Sequence, residues 1–179
     1  MKGIVFTLLE EAVVKSFGED TWDDLLESAH LDGAYTSLGT YPDQHFRALV
    51  TAAAAKLNMS ERDIIRWAGH QMAPLMAQKY AEFFTAHDNT RSFLLTLNNV
   101  IHPEVRKLYP GADVPEFDFD TSSDEVLVMT YMSARKLCDF GMGLIEGAAD
   151  YYNQSVQIKH PQCMHDGDAQ CVLEISFDA

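Results

Sequence analysis

Positive charge is scarce in this chain: 13 Lys and Arg stand against 27 Asp and Glu, a formal net charge of −14. A surface that acidic repels phosphate backbones and anionic headgroups, which argues against nucleic-acid and membrane binding. Long apolar runs are missing too, and no stretch approaches the roughly 20 residues that span a bilayer. The opening MKGIVFTLLEEAV has an apolar run from Ile4 to Leu9 that stops at Glu10 and Glu11, with no small-residue cleavage site after it. A signal peptide is therefore not expected. A soluble, cytosolic protein is expected, and its three cysteines, an odd count in such a compartment, argue against a disulfide framework. A phosphate-cradling glycine loop, a nucleophile elbow and a Cys-His-Glu deaminase pattern are all absent, so no enzyme is expected. Internal repeats, low-complexity segments and linkers are likewise lacking.

What the chain does have is a core. Its 179 residues fit one domain, 1–179, and a hydrophobic fraction of 47% with 10 Phe, 7 Tyr and 2 Trp marks it as globular. The first hundred residues read as helices. Ser60 and Asp63 in SERDIIRWAGHQM form a capping-box-like start, and Ile64, Ile65, Ala68, Met72, Leu75 and Met76 continue at helical spacing. DTWDDLLESA has Asp20 as a possible N-cap, DQHFRALVTAAAAKLN is rich in helix formers, and TRSFLLTLNNVI (90–101) opens on a Thr. After YPGADVP the period changes. EFDFD and EVLVMTYMS alternate as strands do, residues 135–153 return to helix, and SVQIKH with QCVLEISF reads as a hairpin around an Asp-Gly turn signal. The expected class is α+β: an N-terminal helical region on an antiparallel sheet crossed by one helix.

Two features of the second half point to chemistry. His102 precedes a proline, which disfavours α backbone in the residue before it and removes a donor. Leu95, Val105 and Leu108 flank this histidine at helical spacing, and Pro115 and Phe117 lie just beyond. In YMSAR, Tyr131, Ser133 and Arg135 would share one face of a strand, offering a phenol, a hydroxyl and a guanidinium to an anion. Alternatively, Arg135 opens the next helix and pairs with a local acid. Haem has an apolar body with two propionates at one edge, and neutral imidazole is a common iron ligand. A histidine under the ring and a Tyr/Ser/Arg comb at the edge would satisfy both ends.

MKGIVF, HPEVRKLYPGADVPEF, YMSAR and GLIEG together resemble the H-NOX (haem-nitric oxide/oxygen-binding) family, which includes the haem domain of soluble guanylate cyclase and stand-alone bacterial gas sensors. The resemblance covers essentially the whole chain, and its most specific part is Tyr-x-Ser-x-Arg with a histidine about thirty residues upstream. It implies b-type haem, His102 as proximal ligand, Tyr131, Ser133 and Arg135 on the propionates, and Pro115 pressing on the macrocycle. Oxygen-binding relatives carry a distal tyrosine nine positions after the signature Tyr; here that position is Phe140. The same alignment puts apolar Ile4, Leu8, Met72 and Leu144 around it. A sensor of nitric oxide and carbon monoxide that excludes oxygen is implied, signalling to a separate effector, a histidine kinase or a cyclic-di-GMP enzyme.

A second constellation lies near the C-terminus. KHPQCMHDGDAQCV contains His160, Cys163, His165 and Cys171, and Cys138 lies on the preceding helix. His-x-x-Cys with another Cys eight residues on has plausible zinc spacing, although three small buried residues would look the same. A subset of bacterial H-NOX proteins resembles this arrangement, which implies a structural zinc on Cys138, His160, Cys163 and Cys171, with His165 as the rival fourth ligand. Competing functions are a zinc-dependent thiol redox sensor and a haem or gas carrier without signalling.

Overall fold

The computed structural model describes residues 1–178 and has an all-helical first half. Helices α1 (Gly3–Phe17), α2 (Glu19–Ala29), α3 (Asp43–Leu57) and α4 (Glu61–Lys79) precede the short α5 (Ala81–Thr85) and α6 (Thr90–Leu94). The Ser60 hydroxyl accepts from the Asp63 amide at 3.1 Å, so the capping box opens α4 as the sequence indicates. Two expected caps move by one residue or two. Gly18, at φ 92°, precedes α2, leaving Asp20 inside its first turn, where a carboxylate still favours the helix dipole. Asn89, just before Thr90, caps α6: it stands outside the helix in extended backbone and its side-chain oxygen accepts from the Ser92 amide at 2.8 Å.

The expected helix over 90–101 does not run through. After α6 the chain forms a π-helical turn, Leu97–Ile101, with the Ile101 and His102 amides donating five residues back to Thr96 and Leu97; α7 (His102–Leu108) follows. His102 itself is right-handed α, φ −66° and ψ −37°, despite the proline after it. The wider turn accommodates Pro103, which has no amide to donate in any case. Asn98 Nδ2 fixes the turn to the sheet by donating to the Phe117 carbonyl at 2.5 Å.

The second half is a four-stranded antiparallel sheet in the order β1 (Glu116–Asp120), β2 (Val126–Met132), β4 (Cys171–Asp178), β3 (Ser155–Gln162). Helix α8 (Cys138–Tyr151) connects β2 to the far edge and starts three residues later than the sequence pattern indicates. One core packs α1 to α4 around Phe6, Phe46 and Met72; the other packs the inner face of the sheet against α8 and α6 around Leu127, Leu173 and Ile175. α4 and α8 join the two. Their backbones nearly touch, since a Cβ on Gly69 would stand 2.3 Å from the Phe140 carbonyl and one on Gly143 1.9 Å from that of Arg66. Arg62–Asp139, Arg66–Glu146 and His70–Asp150 pairs run along the same seam. Among the described residues no helix is long and apolar enough to cross a membrane.

Candidate functional site

Between the two cores lies a cavity of about 340 Å³, within the size range of small-molecule sites, and its wall is overwhelmingly apolar. His102 reaches it from the start of α7, with its ring stacked on Phe117 at a centroid separation of 5.5 Å. Burial, followed by the nearby Arg106 cation, pushes the His102 imidazole down to about 4, against a weak opposing hydrogen bond to the Pro115 backbone. The ring is therefore neutral at physiological pH, with a lone pair free for a metal. Val105, Leu108 and Pro115 line the cavity beside it, whereas Leu95 packs into the sheet-side core instead.

Tyr131, Ser133 and Arg135 all border the cavity, but not as one face of a strand. β2 ends at Met132, and Ser133 to Arg135 turn away before Lys136, whose φ is +52°. The turn itself brings the three together: Ser133 Oγ accepts from the Arg135 amide at 3.3 Å and Tyr131 Oη from the Leu137 amide at 3.0 Å. Arg135 also finds local acids, as the alternative reading of its charge had it. Its Nε donates to Asp43 at 2.8 Å and an Nη to the Asp113 carbonyl at 2.6 Å. Asp43 in turn accepts from the amino group of Met1 at 2.7 Å. Burial would raise its carboxyl, but hydrogen bonds from Met1 and Arg135 outweigh that and hold it below the usual range. Asp43 thus orients the guanidinium at the cavity rim, a role that no sequence motif signalled.

On the opposite wall, Ile4 and Leu8 of α1 and Phe140 and Leu144 of α8 line the cavity. Met72 does not: it is wholly buried in the helical core, and α4 offers Ala73 and Met76, with Tyr80 just past its end, to the cavity instead. One residue along a helix is a rotation of about 100°, enough to turn Met72 off that stripe, and the 73, 76, 80 spacing was available in the sequence. Phe140 packs edge-on against Phe46 at 6.2 Å. Two phenols in the wall, Tyr80 and Tyr109, were missed by sequence reasoning; they hydrogen-bond to each other. Burial, reinforced by that bond, raises the Tyr80 hydroxyl well above its ordinary value.

The cysteine cluster is assembled at the N-terminal end of α8, whose first residue is Cys138. Ligand atoms of Cys138, His160, Cys163 and Cys171 lie within 4.8 Å of one another, with all three thiols buried and free. His165 is not in that group; its Nε2 bonds to the Lys136 carbonyl at 2.7 Å. His160 Nε2 is the one buried side-chain nitrogen or oxygen among the described residues without a hydrogen-bond partner. Burial also lowers the His160 imidazole, which favours its neutral form beside the three sulfurs. Burial, with Cys171 adding to it, pushes the Cys138 thiol far up, so thiolates here need a cation. A tetrahedral zinc fits this donor set, and the orphaned nitrogen is what such a metal would use.

An apolar cavity with a neutral imidazole at one side and a Tyr/Ser/Arg rim defines a domain built for a flat, apolar cofactor with an acidic edge. The sequence matches the haem-NO-binding (HNOB) family over residues 2–160, and the chain belongs to that family, whose H-NOX domains bind haem, sense gases and are not enzymes in themselves. In structure it is similar to an H-NOX protein from S. oneidensis in the Fe(II)NO state, at 32% identity and TM-score 0.94 over 100% of both chains. The unliganded Fe(II) H-NOX protein from K. algicida is 28% identical, with a TM-score of 0.88 over 100% of this chain and 97% of that one. An oxygen-binding H-NOX domain related to soluble guanylate cyclases, 22% identical, shares the fold at TM-score 0.84 over 100% and 96%.

Proposed function

We propose that residues 1–179 act as one cytoplasmic nitric oxide sensor, which takes NO and CO at ferrous haem, excludes O2 and signals to a separate effector protein. The observation that carries this reading is the cavity wall around Phe140. Ile4, Leu8, Leu144 and Phe140 offer no donor, and among the described residues the phenols that line the cavity away from Tyr131, Tyr80 and Tyr109, are engaged in a hydrogen bond with each other. Bound dioxygen gathers negative charge and needs a donor; NO does not. The S. oneidensis relative takes NO in its Fe(II) form and CO in another structure, which supports the same ligands here.

Haem, when bound, supplies the ferrous iron for these gases. His102 would hold the haem through its neutral imidazole, Tyr131, Ser133 and the Asp43-oriented Arg135 would hold its propionates, and Pro115, beside His102, would press on the ring. Because His102 follows a π turn, α7 is held by a weaker ladder than a continuous helix would give it. Release of His102 on gas binding would free α7 and let the helical half shift relative to the sheet. The output passes to a histidine kinase or a cyclic-di-GMP enzyme. Cys138, His160, Cys163 and Cys171 hold a structural zinc that staples α8 to the terminal hairpin. That cluster also supports a second reading, a thiol redox sensor acting on the same effector.

The electronic spectrum of the ferrous protein under NO tests the first reading: a five-coordinate signature is expected, and a persistently six-coordinate one would sink ligand release. A stable oxygen-bound spectrum in air would defeat oxygen exclusion. His102→Ala should abolish the Soret band. The redox reading gains if zinc loss alters effector activity and NO leaves it unchanged.

A further inference from the structure

We propose that Arg62 is the positioning residue of the Cys138/His160/Cys163/Cys171 zinc site, compensating its charge and tying it to α4, the helix that also lines the haem cavity. The inference rests on the zinc reading above.

Zinc with three thiolates carries one net negative charge, and the Asp139 carboxylate, buried next to Cys138, adds a second. Two like charges in a buried space need a cation close by. Arg62 supplies it from the first turn of α4. Its Nε donates to Asp139 Oδ2 at 3.1 Å, and its Nη2 lies 3.7 Å from Cys163 Sγ, within hydrogen-bonding reach of sulfur. The same guanidinium therefore touches a ligand and the acid beside another ligand, bridging 101 residues of sequence. Other bonds arrange the ligand loop: Asp168 accepts from the Cys163 amide at 2.7 Å, and the Met164 amide donates to Cys171 Sγ at 3.3 Å. Those act within the loop, whereas Arg62 reaches it from the helical half. Ala73 and Met76, further along α4, face the cavity, so this contact ties the zinc site to the helix that lines it.

The neighbouring pair provides the control. Arg66 sits one turn along α4 and grips Glu146 of α8, so it crosses the same seam, but its partner is that glutamate and not a cysteine. The test is zinc competition with a chromogenic chelator on haem-loaded protein. Arg62→Gln is expected to weaken zinc binding by about 10- to 100-fold, the usual penalty for losing an outer partner of a metal ligand. Arg62→Lys should restore part of the loss, and Arg66→Gln should leave zinc affinity at the wild-type value. If Arg62→Gln matches Arg66→Gln, Arg62 is only a docking pair and the inference is overturned. If wild-type protein retains less than about a tenth of an equivalent of zinc, the zinc reading itself fails and takes this one with it.

Discussion

Adding one methyl group at Gly143 should unsettle the molecule more than most core substitutions. An alanine Cβ there would stand 1.9 Å from the Arg66 carbonyl oxygen, 2.8 Å from the His70 nitrogen and 2.9 Å from the Arg66 carbonyl carbon. All three are backbone atoms of α4, so no rotamer change relieves the clash; the helices must separate by more than an ångström. Overpacking of this kind costs about 1–3 kcal/mol and sometimes more. Alanine recovers about 1 kcal/mol through its better helix propensity. With backbone opposing backbone the upper end applies, and Gly143→Ala should lose about 2 kcal/mol net. Gly141, two residues earlier in α8, is the internal control: its Cβ would meet nothing within 4 Å, so Gly141→Ala should gain about 0.5–1 kcal/mol. Guanidinium unfolding of each purified variant, followed by far-ultraviolet circular dichroism at matched haem content, measures both. Equal stability of the two variants, or a more stable Gly143→Ala, would refute the close approach of α4 and α8.

Phe140→Tyr places a hydroxyl in the apolar wall; a hydrogen bond to developing charge is worth about 1.5–3 kcal/mol, so the variant should show oxygen binding in air where wild type shows none. Chelating the zinc should lower stability by about 4 kcal/mol relative to protein held at free zinc a thousandfold above Kd, read as a fall in Tm. His102 predicts a pH effect in haem-free protein. Its folded value of about 4 lies below the ordinary histidine value of 6.5, so folding opposes protonation: stability is full above pH 6.5 and is lost as pH falls from 6.5 towards 4. Between pH 7 and 4.5 wild type should lose about 2.5 kcal/mol more than His102→Leu in urea unfolding, and equal losses would show that the imidazole is not held neutral by burial.

Local signals were the legible part of the fold. Ser60 and Asp63 start α4, the alternation in EFDFD becomes a strand with Phe117 buried between exposed Glu116 and Asp118, and the terminal hairpin closes as its turn residues indicate. The interruption at His102 was also visible, but its form was not. Pro103 announces a missing donor, while nothing in the sequence says that the chain will insert a π turn upstream instead of ending the helix. That choice depends on Asn98 meeting the Phe117 carbonyl on a strand 19 residues away.

The site divides in the same way. Residues whose chemistry is announced by type and spacing, His102, the Tyr131 triplet and the cysteines, could be picked out before any contact was known. Their partners could not, because each comes from a distant part of the chain. Asp43 meets Arg135 across 92 residues, Tyr80 meets Tyr109, and Arg62 meets Cys163. Among 27 acidic residues nothing marks Asp43, and as one of 7 tyrosines Tyr80 carries no label. Strand periodicity grouped Tyr131, Ser133 and Arg135 for the wrong reason: they converge because the chain turns after Met132, not because it stays extended. Had β2 continued to Arg135, the guanidinium would have followed the strand past the Asp43 carboxylate that now orients it. The turn is therefore part of the site, and Lys136, the residue in left-handed backbone that completes it, is where a β-branched substitution should loosen Arg135 without touching the cavity.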